Sequence, residues 1–185
     1  MTPLMSARPE TLGSLIEWMD GLSVRPPMDA LRERLNALSV DPDEWERHAQ
    51  FSENRYMRNL VHEGNHYHAL FLCWKSGQRS PIHDHAQSVC GLKVLTGVAT
   101  ETIFESSPSG LLKARGSSDH HAGAVAVSRD SDIHQISNLQ AEGVDLVTLH
   151  IYSPALLSMK CYSITDRFVG EFRPFVDEFV HGGGI

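Results

Sequence analysis

At the centre of the chain stands the segment Pro81-Ile82-His83-Asp84-His85-Ala86-Gln87-Ser88-Val89-Cys90-Gly91. Its two histidines, His83 and His85, are separated by one residue and flanked by apolar positions. Side chains of a β-strand repeat every two residues, so a strand here would turn both imidazoles to the same face. The pattern therefore predicts a strand that presents two ligands to one metal ion.

A third candidate ligand, His134, lies far downstream in the segment Asp132-Ile133-His134-Gln135-Ile136-Ser137-Asn138. Two histidines from one strand and one from a distant strand form a facial arrangement with open coordination positions. Such open positions are more frequent in catalytic than in structural metal sites. The alternative is that these are surface or packing histidines, because a His-x-His pair alone is a weak signal in a chain with 11 histidines.

The spacing around the pair follows a wider pattern, which reads Gly77, five residues, His83-x-His85, four residues, Cys90, six residues and Gly97. This pattern resembles the first cupin motif, in which a glutamate normally occupies the place of Cys90. The segment from His134 to Asn138 resembles the second cupin motif, without its usual proline and glycine. The resemblance implies an all-β core, a double-stranded antiparallel β-barrel or jelly roll.

A cysteine in place of the cupin glutamate resembles one family in particular, the cysteine dioxygenases. Two more motifs similar to that family occur in the same order along the chain, Tyr56-Met57-Arg58-Asn59-Leu60-Val61 and Leu149-His150-Ile151-Tyr152-Ser153-Pro154. The resemblance covers roughly residues 50 to 165 and rests on four separate motifs. It implies an Fe(II)-dependent enzyme that adds both atoms of dioxygen to the sulfur of L-cysteine and forms cysteine sulfinate.

Length and hydrophobic patterning predict a single domain over residues 1–185, with an N-terminal helical layer at 1–50 and a β-barrel at 51–170. Apolar residues recur at helical spacing from about Pro9 to Leu22 and from about Met28 to Leu38, and a short third helix is expected around Trp45. Short β-branched and aromatic runs then predict strands at Tyr56–Val61, His68–Trp74, Ser88–Leu95, Val98–Phe104, Gly123–Val127 and Leu146–Ser153. A last helix or strand is expected after Arg173.

Composition narrows the classes of partner. The formal net charge is −7 and no basic stripe is present, which argues against nucleic acid. No apolar run approaches the length of a membrane span and no signal-type segment follows Met1, so we expect a cytoplasmic protein without a membrane partner. The odd number of cysteines, 3, does not form a disulfide framework, and Cys73 and Cys161 are expected to be buried apolar residues. We expect a monomer whose partners are a small thiol and O2.

The three imidazoles allow more than one metal. Neutral histidines leave the charge of a divalent ion intact, which favours an anionic ligand such as a substrate thiolate in the open positions. Residue types alone fit zinc as well as a redox metal such as Fe(II). The resemblance to cysteine dioxygenases implies iron, held by His83, His85 and His134.

Arg58 is the candidate substrate-binding residue. It lies on a predicted strand among apolar neighbours, where a buried guanidinium needs either an internal carboxylate or the carboxylate of a substrate. The resemblance implies that Arg58 holds the carboxylate of cysteine, with Tyr56 lining the same pocket. Relatives that act on 3-mercaptopropionate tend to carry glutamine at this position, so Arg58 indicates cysteine.

Cys90 and Tyr152 form the most distinctive pair. The resemblance implies a thioether crosslink between the cysteine sulfur and the tyrosine ring, whereas the alternative is an unmodified buried cysteine beside a core tyrosine. His150 precedes Tyr152 by two residues, so a strand would place both on one face, where His150 can orient the tyrosine hydroxyl. Thr148 replaces the serine of the family, which keeps a hydroxyl but adds a methyl group.

Other functions fit the same residues. A dioxygenase for 3-mercaptopropionate or another small thiol would use the same three histidines. A non-catalytic cupin would bind metal without consuming oxygen. A zinc-dependent isomerase or hydrolase is a third alternative on the same barrel.

Overall fold

The computed structural model describes residues 10–129 and 133–176. It opens with three helices, α1 (Leu12–Asp20), α2 (Met28–Ala37) and α3 (Pro42–Glu46). Helix α1 begins at a capping box, in which the Thr11 hydroxyl accepts the backbone N–H of Ser14 and the Ser14 hydroxyl accepts that of Thr11. No helix among the described residues is long and apolar enough to span a membrane.

Strands make up most of the remaining described chain. They are β1 (Met57–Gly64), β2 (Tyr67–Trp74), β3 (Ile82–His83), β4 (Val89–Thr96), β5 (Val98–Ser106), β6 (Leu112–His121), β7 (Val125–Arg129), β8 (Ile133–Ser137), β9 (Leu146–Ser153), β10 (Met159–Tyr162) and β11 (Val169–Phe172). They form two antiparallel sheets. One has the order β1-β2-β9-β4-β7, and the other has the order β11-β10-β3-β8-β5-β6.

Strands β2 and β9 lie in the middle of the five-stranded sheet and are buried along their whole length. Their alternate side chains serve two cores. Phe71 and its neighbours on one face pack against helices α1 and α2, whereas Leu70, Trp74 and Tyr152 on the other face belong to the core between the sheets. This confirms the expected fold class, an antiparallel cupin barrel with an N-terminal helical layer.

Helix α2 lies directly on β4 because the strand offers it a glycine. A Cβ built on Gly91 would come within 2.7 Å of Leu35 Cδ1 and 2.9 Å of Leu31 Cδ2. Two residues further along the strand, the buried Lys93 donates its Nζ to the backbone carbonyl of Leu35 at 2.8 Å. This ammonium satisfies a carbonyl near the end of α2 and ties the helix to the sheet.

Several elements differ from the sequence prediction. Strand β6 was not predicted because its residues are polar and mostly exposed, so it has no apolar alternation. The short pair β10 and β11 was missed for the same reason, since every position except Met159 is exposed or partly exposed. Strand β3 ends at His83, so the prediction that one strand carries both histidines was wrong.

Two further expectations concern the C-terminal part of the chain. Cys161 is only partly buried, whereas the sequence predicted a buried residue. Residues 173–176 have no regular structure, and the remainder of the predicted last element lies outside the described residues.

Candidate active site

Three histidines meet between the two sheets. His83 on β3 pairs directly with His134 on β8, and His85 lies in the loop that follows β3. All three are buried, and one nitrogen from each lies within 4.8 Å of the others. The structure therefore brings together the three predicted ligands, although two strands and a loop supply them instead of two strands.

The Nδ1 atom of each of these histidines contacts an oxygen atom of a different neighbouring residue, here called its outer group. His83 Nδ1 lies 2.9 Å from the Pro81 carbonyl oxygen, and His85 Nδ1 lies 3.4 Å from Ser128 Oγ. These contacts leave the Nε2 atoms for the interior of the site.

The third outer group is a carboxylate. His134 Nδ1 lies 2.6 Å from Glu101 Oε1. Burial works to raise the pKa of Glu101, but hydrogen bonds from His134 and His120 hold it below its ordinary value, so Glu101 is ionised at neutral pH. Glu101 was not identified from the sequence, because nothing in the pattern of β5 distinguishes it from a surface glutamate.

Buried ring nitrogens without a hydrogen-bond partner show whether a metal ion would fit between the three histidines. Among the described residues, the buried Nε2 atoms of His85 and His134 have no hydrogen-bond partner. A buried ring nitrogen without a partner is costly, and a divalent ion that accepts its lone pair removes that cost. The three neutral imidazoles therefore fit a metal ion.

Burial also keeps the rings of His83 and His85 neutral. It lowers the pKa of His83 to about 3, with the neighbouring His134 as the next cause. Burial likewise holds the pKa of His85 well below its ordinary value. A histidine must be unprotonated to bind a metal, so the site is prepared for metal at neutral pH.

A tight turn places His85. The backbone N–H of Ser88 donates to the His85 carbonyl at 2.8 Å, and the two residues between them, Ala86 and Gln87, have φ angles of 44° and 73°. Positive φ at both central positions is the geometry of a type I′ turn, which costs energy for residues other than glycine. The loop is thus held in an unfavourable conformation beside the three histidines.

Asp84 anchors this loop to the neighbouring strand. Its carboxylate accepts the backbone N–H of Ala86 and of Lys160, each at 3.2 Å, and the hydroxyl of Tyr162 at 2.9 Å. The sequence analysis gave Asp84 no role, and its place between the two histidines was the one signal that could have pointed to it.

Cys90 and Tyr152 lie directly opposite each other on the adjacent strands β4 and β9. Both side chains are buried. Burial raises the pKa of the Cys90 thiol to about 12, with the charge of Glu101 as a second cause, and burial also raises the pKa of Tyr152. The two groups therefore face the interior as a neutral thiol and a neutral phenol.

The Tyr152 hydroxyl is the first member of a buried chain of hydrogen bonds. It lies 2.9 Å from His150 Nδ1, and His150 Nε2 lies 3.0 Å from the Thr148 hydroxyl. The Trp74 indole donates to the same hydroxyl at 3.2 Å. Thr148 thus reaches His150 despite its extra methyl group, and Trp74 joins the chain as a member that the sequence did not reveal.

Arg58 lies on β1, next to the Tyr152 end of this series of hydrogen bonds. Its guanidinium carbon is 5.2 Å from the centre of the Tyr152 ring, and it hydrogen-bonds to the side chains of Tyr56 and Tyr152. The Tyr56 ring stacks on Trp74 with centroids 4.2 Å apart. The structure thus brings a buried cation and an aromatic wall to the side of the site that holds Tyr152.

The family model described as cysteine dioxygenase type I matches residues 1–165 of the chain. The chain belongs to the cysteine dioxygenase family. As a member of that family it is an oxidoreductase, and its substrates are a small molecule and dioxygen.

Individual cysteine dioxygenases agree with this assignment. Cysteine dioxygenase type 1 of Danio rerio is 34% identical over 162 residues, which cover 84% of this chain and 80% of that protein. Cysteine dioxygenase type 1 of Homo sapiens is 31% identical over 153 residues, or 80% of this chain and 76% of that protein. Among solved structures, the protein TT1209 from Thermus thermophilus aligns with a TM-score of 0.51 at 15% identity, over 60% of this chain and 94% of that chain, which supports the fold alone.

Proposed function

We propose that this cysteine dioxygenase family member converts L-cysteine and O2 to cysteine sulfinate with Fe(II) held by His83, His85 and His134. The observation that carries the proposal is the buried guanidinium of Arg58, which lies beside Tyr152 at the histidine cluster. Fe(II), when bound, supplies open coordination positions and the redox chemistry that dioxygen requires. Three neutral ligands leave its full positive charge to attract a substrate thiolate.

Arg58 binds the substrate carboxylate in this proposal. A guanidinium recognises a carboxylate through two parallel hydrogen bonds, and burial strengthens the interaction because water does not compete. Tyr56 hydrogen-bonds to Arg58 and stacks on Trp74, so it holds the guanidinium in place. The cation and the histidine cluster then bind opposite ends of a short amino acid thiol.

Tyr152 donates a proton or a hydrogen bond to the reacting groups. An indole N–H only donates, so the Thr148 hydroxyl accepts from Trp74. In this proposal the hydroxyl gives its own hydrogen to His150 Nε2, 3.0 Å away. His150 then carries its proton on Nδ1 and donates it to the Tyr152 oxygen. The phenolic hydrogen of Tyr152 is left to point into the site.

A thioether bond between Cys90 and Tyr152 is part of the proposal. The two residues are opposed on adjacent strands and buried together. Forming the bond removes the thiol hydrogen of Cys90 and one ring hydrogen of Tyr152, and dioxygen takes up both hydrogens with their electrons. Intact mass measurement detects the loss of two hydrogen atoms from the chain.

The decisive experiment is oxygen consumption by the iron-reconstituted protein with L-cysteine and, separately, with 3-mercaptopropionate. Sulfinate products are identified by mass spectrometry, and bound metal is measured in the same samples. We expect strong uptake with cysteine and a matching amount of cysteine sulfinate.

The other outcomes contradict different parts of the proposal. Preference for 3-mercaptopropionate would keep a thiol dioxygenase but remove the role of Arg58 in selecting cysteine. No uptake with either thiol at full iron occupancy would contradict the reaction itself and favour a metal-binding cupin. Zinc as the main metal after expression without added metal, with no activity gained from iron, would favour a zinc enzyme.

A further inference from the structure

Glu101 connects two histidines on opposite sides of its own strand. It lies on β5, which pairs with β8 on one side and with β6 on the other. One carboxylate oxygen lies 2.6 Å from His134 Nδ1, and the other lies 3.0 Å from Nε2 of His120 on β6. The side chain of Glu101 is only 18% exposed, so these contacts are shielded from solvent.

Glu101 is the charged member among the outer groups of the three ligand histidines. The corresponding partners of His83 and His85 are the Pro81 carbonyl and the Ser128 hydroxyl, which are neutral. A carboxylate accepts hydrogen bonds but cannot donate them when ionised. The ring nitrogen of His134 that faces Glu101 must therefore carry the proton, and the lone pair must lie on Nε2.

This pairing has a further electronic consequence. A carboxylate bonded to a ligand imidazole fixes the orientation of the ring and makes its free nitrogen a stronger base towards a metal. His134 is thus expected to be a stronger donor than either of the other two ligands. Because His120 contacts the second carboxylate oxygen, Glu101 is held in one orientation from both neighbouring strands.

We propose that Glu101 is a positioning residue of the metal centre, which fixes His134 in the tautomer that offers Nε2 to the metal while His120 holds the carboxylate in place. The proposal rests on the proposed function only in taking these three histidines as metal ligands. It requires no particular substrate and no turnover.

A cavity beside Glu101 makes the residue suitable for substitution. Glu101, His120, His134 and Cys90 line a space of about 320 Å³ between the sheets. Shortening Glu101 enlarges an existing cavity that can admit water to His134 Nδ1, so the change need not leave a dry void in the core. The expected result is a folded protein with a less well fixed His134.

The experiment compares Glu101→Ala, Glu101→Gln and His120→Gln with a matched control, Glu105→Gln. Glu105 lies on the same strand but is exposed and pairs with Lys113. Metal-free proteins are titrated anaerobically with Fe(II) and with Co(II), whose visible absorption reports ligand geometry. We expect Glu101→Ala to lower metal affinity about 10- to 100-fold, with a smaller loss for Glu101→Gln and for His120→Gln and no loss for the control.

A second readout separates positioning from general stability. In the Zn(II)-loaded protein, which is diamagnetic, nitrogen–proton NMR correlations of the histidine rings report which nitrogen is protonated and which is bound. We expect Glu101→Ala to change the His134 signals and to leave those of His83 in place. Thermal unfolding in chelator checks that each variant is folded.

The proposal is overturned if Glu101→Ala binds metal as tightly as Glu105→Gln with an unchanged His134 spectrum. It is also overturned if the variant loses thermal stability alone and keeps its metal affinity. Both readouts are independent of activity, so a protein that does not oxidise cysteine can still confirm the role of Glu101.

Discussion

Arg58 is the residue through which the site recognises its substrate in the proposed reaction, and its guanidinium is buried against Tyr152. We expect Arg58→Ala to raise the KM for cysteine about 10- to 100-fold, because a hydrogen bond to a charged group contributes about 1.5–3 kcal/mol. Iron content should stay near the wild-type value, since Arg58 is not a ligand. Oxygen uptake and metal analysis measure the two effects.

Arg55→Ala provides the matched control, because Arg55 is an exposed arginine just before the same strand. Its KM should remain close to that of the wild type. Wild-type kinetics in Arg58→Ala would contradict the carboxylate-binding role.

Thr148 tests the hydrogen-bond chain that ends at Tyr152. Thr148→Val keeps the shape of the side chain but removes the partner of both Trp74 Nε1 and His150 Nε2. We expect kcat to fall about tenfold or more while the KM for cysteine changes little, because losing a buried hydrogen bond costs about 1–3 kcal/mol. Steady-state oxygen uptake with varied cysteine separates the two constants. Thr148→Ser should retain most of the activity, and a Val variant as fast as the wild type would rule out this chain.

At the scale of single residues, the sequence revealed the candidate metal ligands but not the residues that fix them in position. His-x-His spacing and the cupin pattern identify His83, His85 and His134, because ligand chemistry restricts the residue type. Asp84 and Glu101 act through hydrogen bonds to a loop and to a ring nitrogen, and any carboxylate at the right place in space can do so. Their positions depend on strand pairing, which a single sequence does not specify.

At the scale of elements, the contact between helix α2 and strand β4 depends on the small size of Gly91. A methyl group there would lie 2.7 Å from Leu35 Cδ1, so Leu35 or the helix must move. We expect Gly91→Ala to lower the free energy of unfolding by about 1–3 kcal/mol, the usual cost of overpacking. Urea unfolding of the metal-free protein measures the change.

Gly116→Ala is the control for this prediction. Gly116 lies on the exposed strand β6, and an added Cβ would meet no atom within 4 Å. It should leave stability unchanged or raise it slightly, since alanine restricts the unfolded chain. Equal stabilities of the two variants would show that the helix is not packed as closely as described.

The same contrast explains which elements the sequence predicted. Strands β2 and β9 are buried on both faces and their sequences are mostly apolar. Strand β6 is polar because it is mostly exposed at the edge of its sheet, and its residues carry no burial signal. Strand β3 is too short to show a period, so backbone turn geometry decides the position of His85.

For the molecule as a whole, buried neutral histidines make stability depend on pH. Burial, followed by the charge of Arg58, holds the pKa of His150 well below its ordinary 6.5. The unfolded chain therefore binds a proton below pH 6.5 that the folded chain does not. The stabilisation is fully present above pH 6.5 and is lost as the pH falls towards the folded value, by up to about 1.4 kcal/mol per pH unit for each such group.

The measurement is urea unfolding in chelator at several values between about pH 7.5 and pH 5. His83, whose pKa burial lowers to about 3, acts in the same direction. We expect His150→Gln to lose stability less steeply than the wild type as the pH falls. A flat wild-type profile, or equal slopes for the two proteins, would contradict the prediction.

The placement of Cys90 and Tyr152 in the same sheet determines what a crosslink between them would stabilise and what its presence would report. A thioether between them would join two strands that are already neighbours, so it would hold one wall of the barrel and would not fasten the two walls together. In the structure β4 and β9 are paired while Cys90 is a free cysteine, so the fold does not require such a bond. Because each molecule can form the bond only once, the crosslinked fraction of a preparation would give the share of its molecules that have already reacted with oxygen.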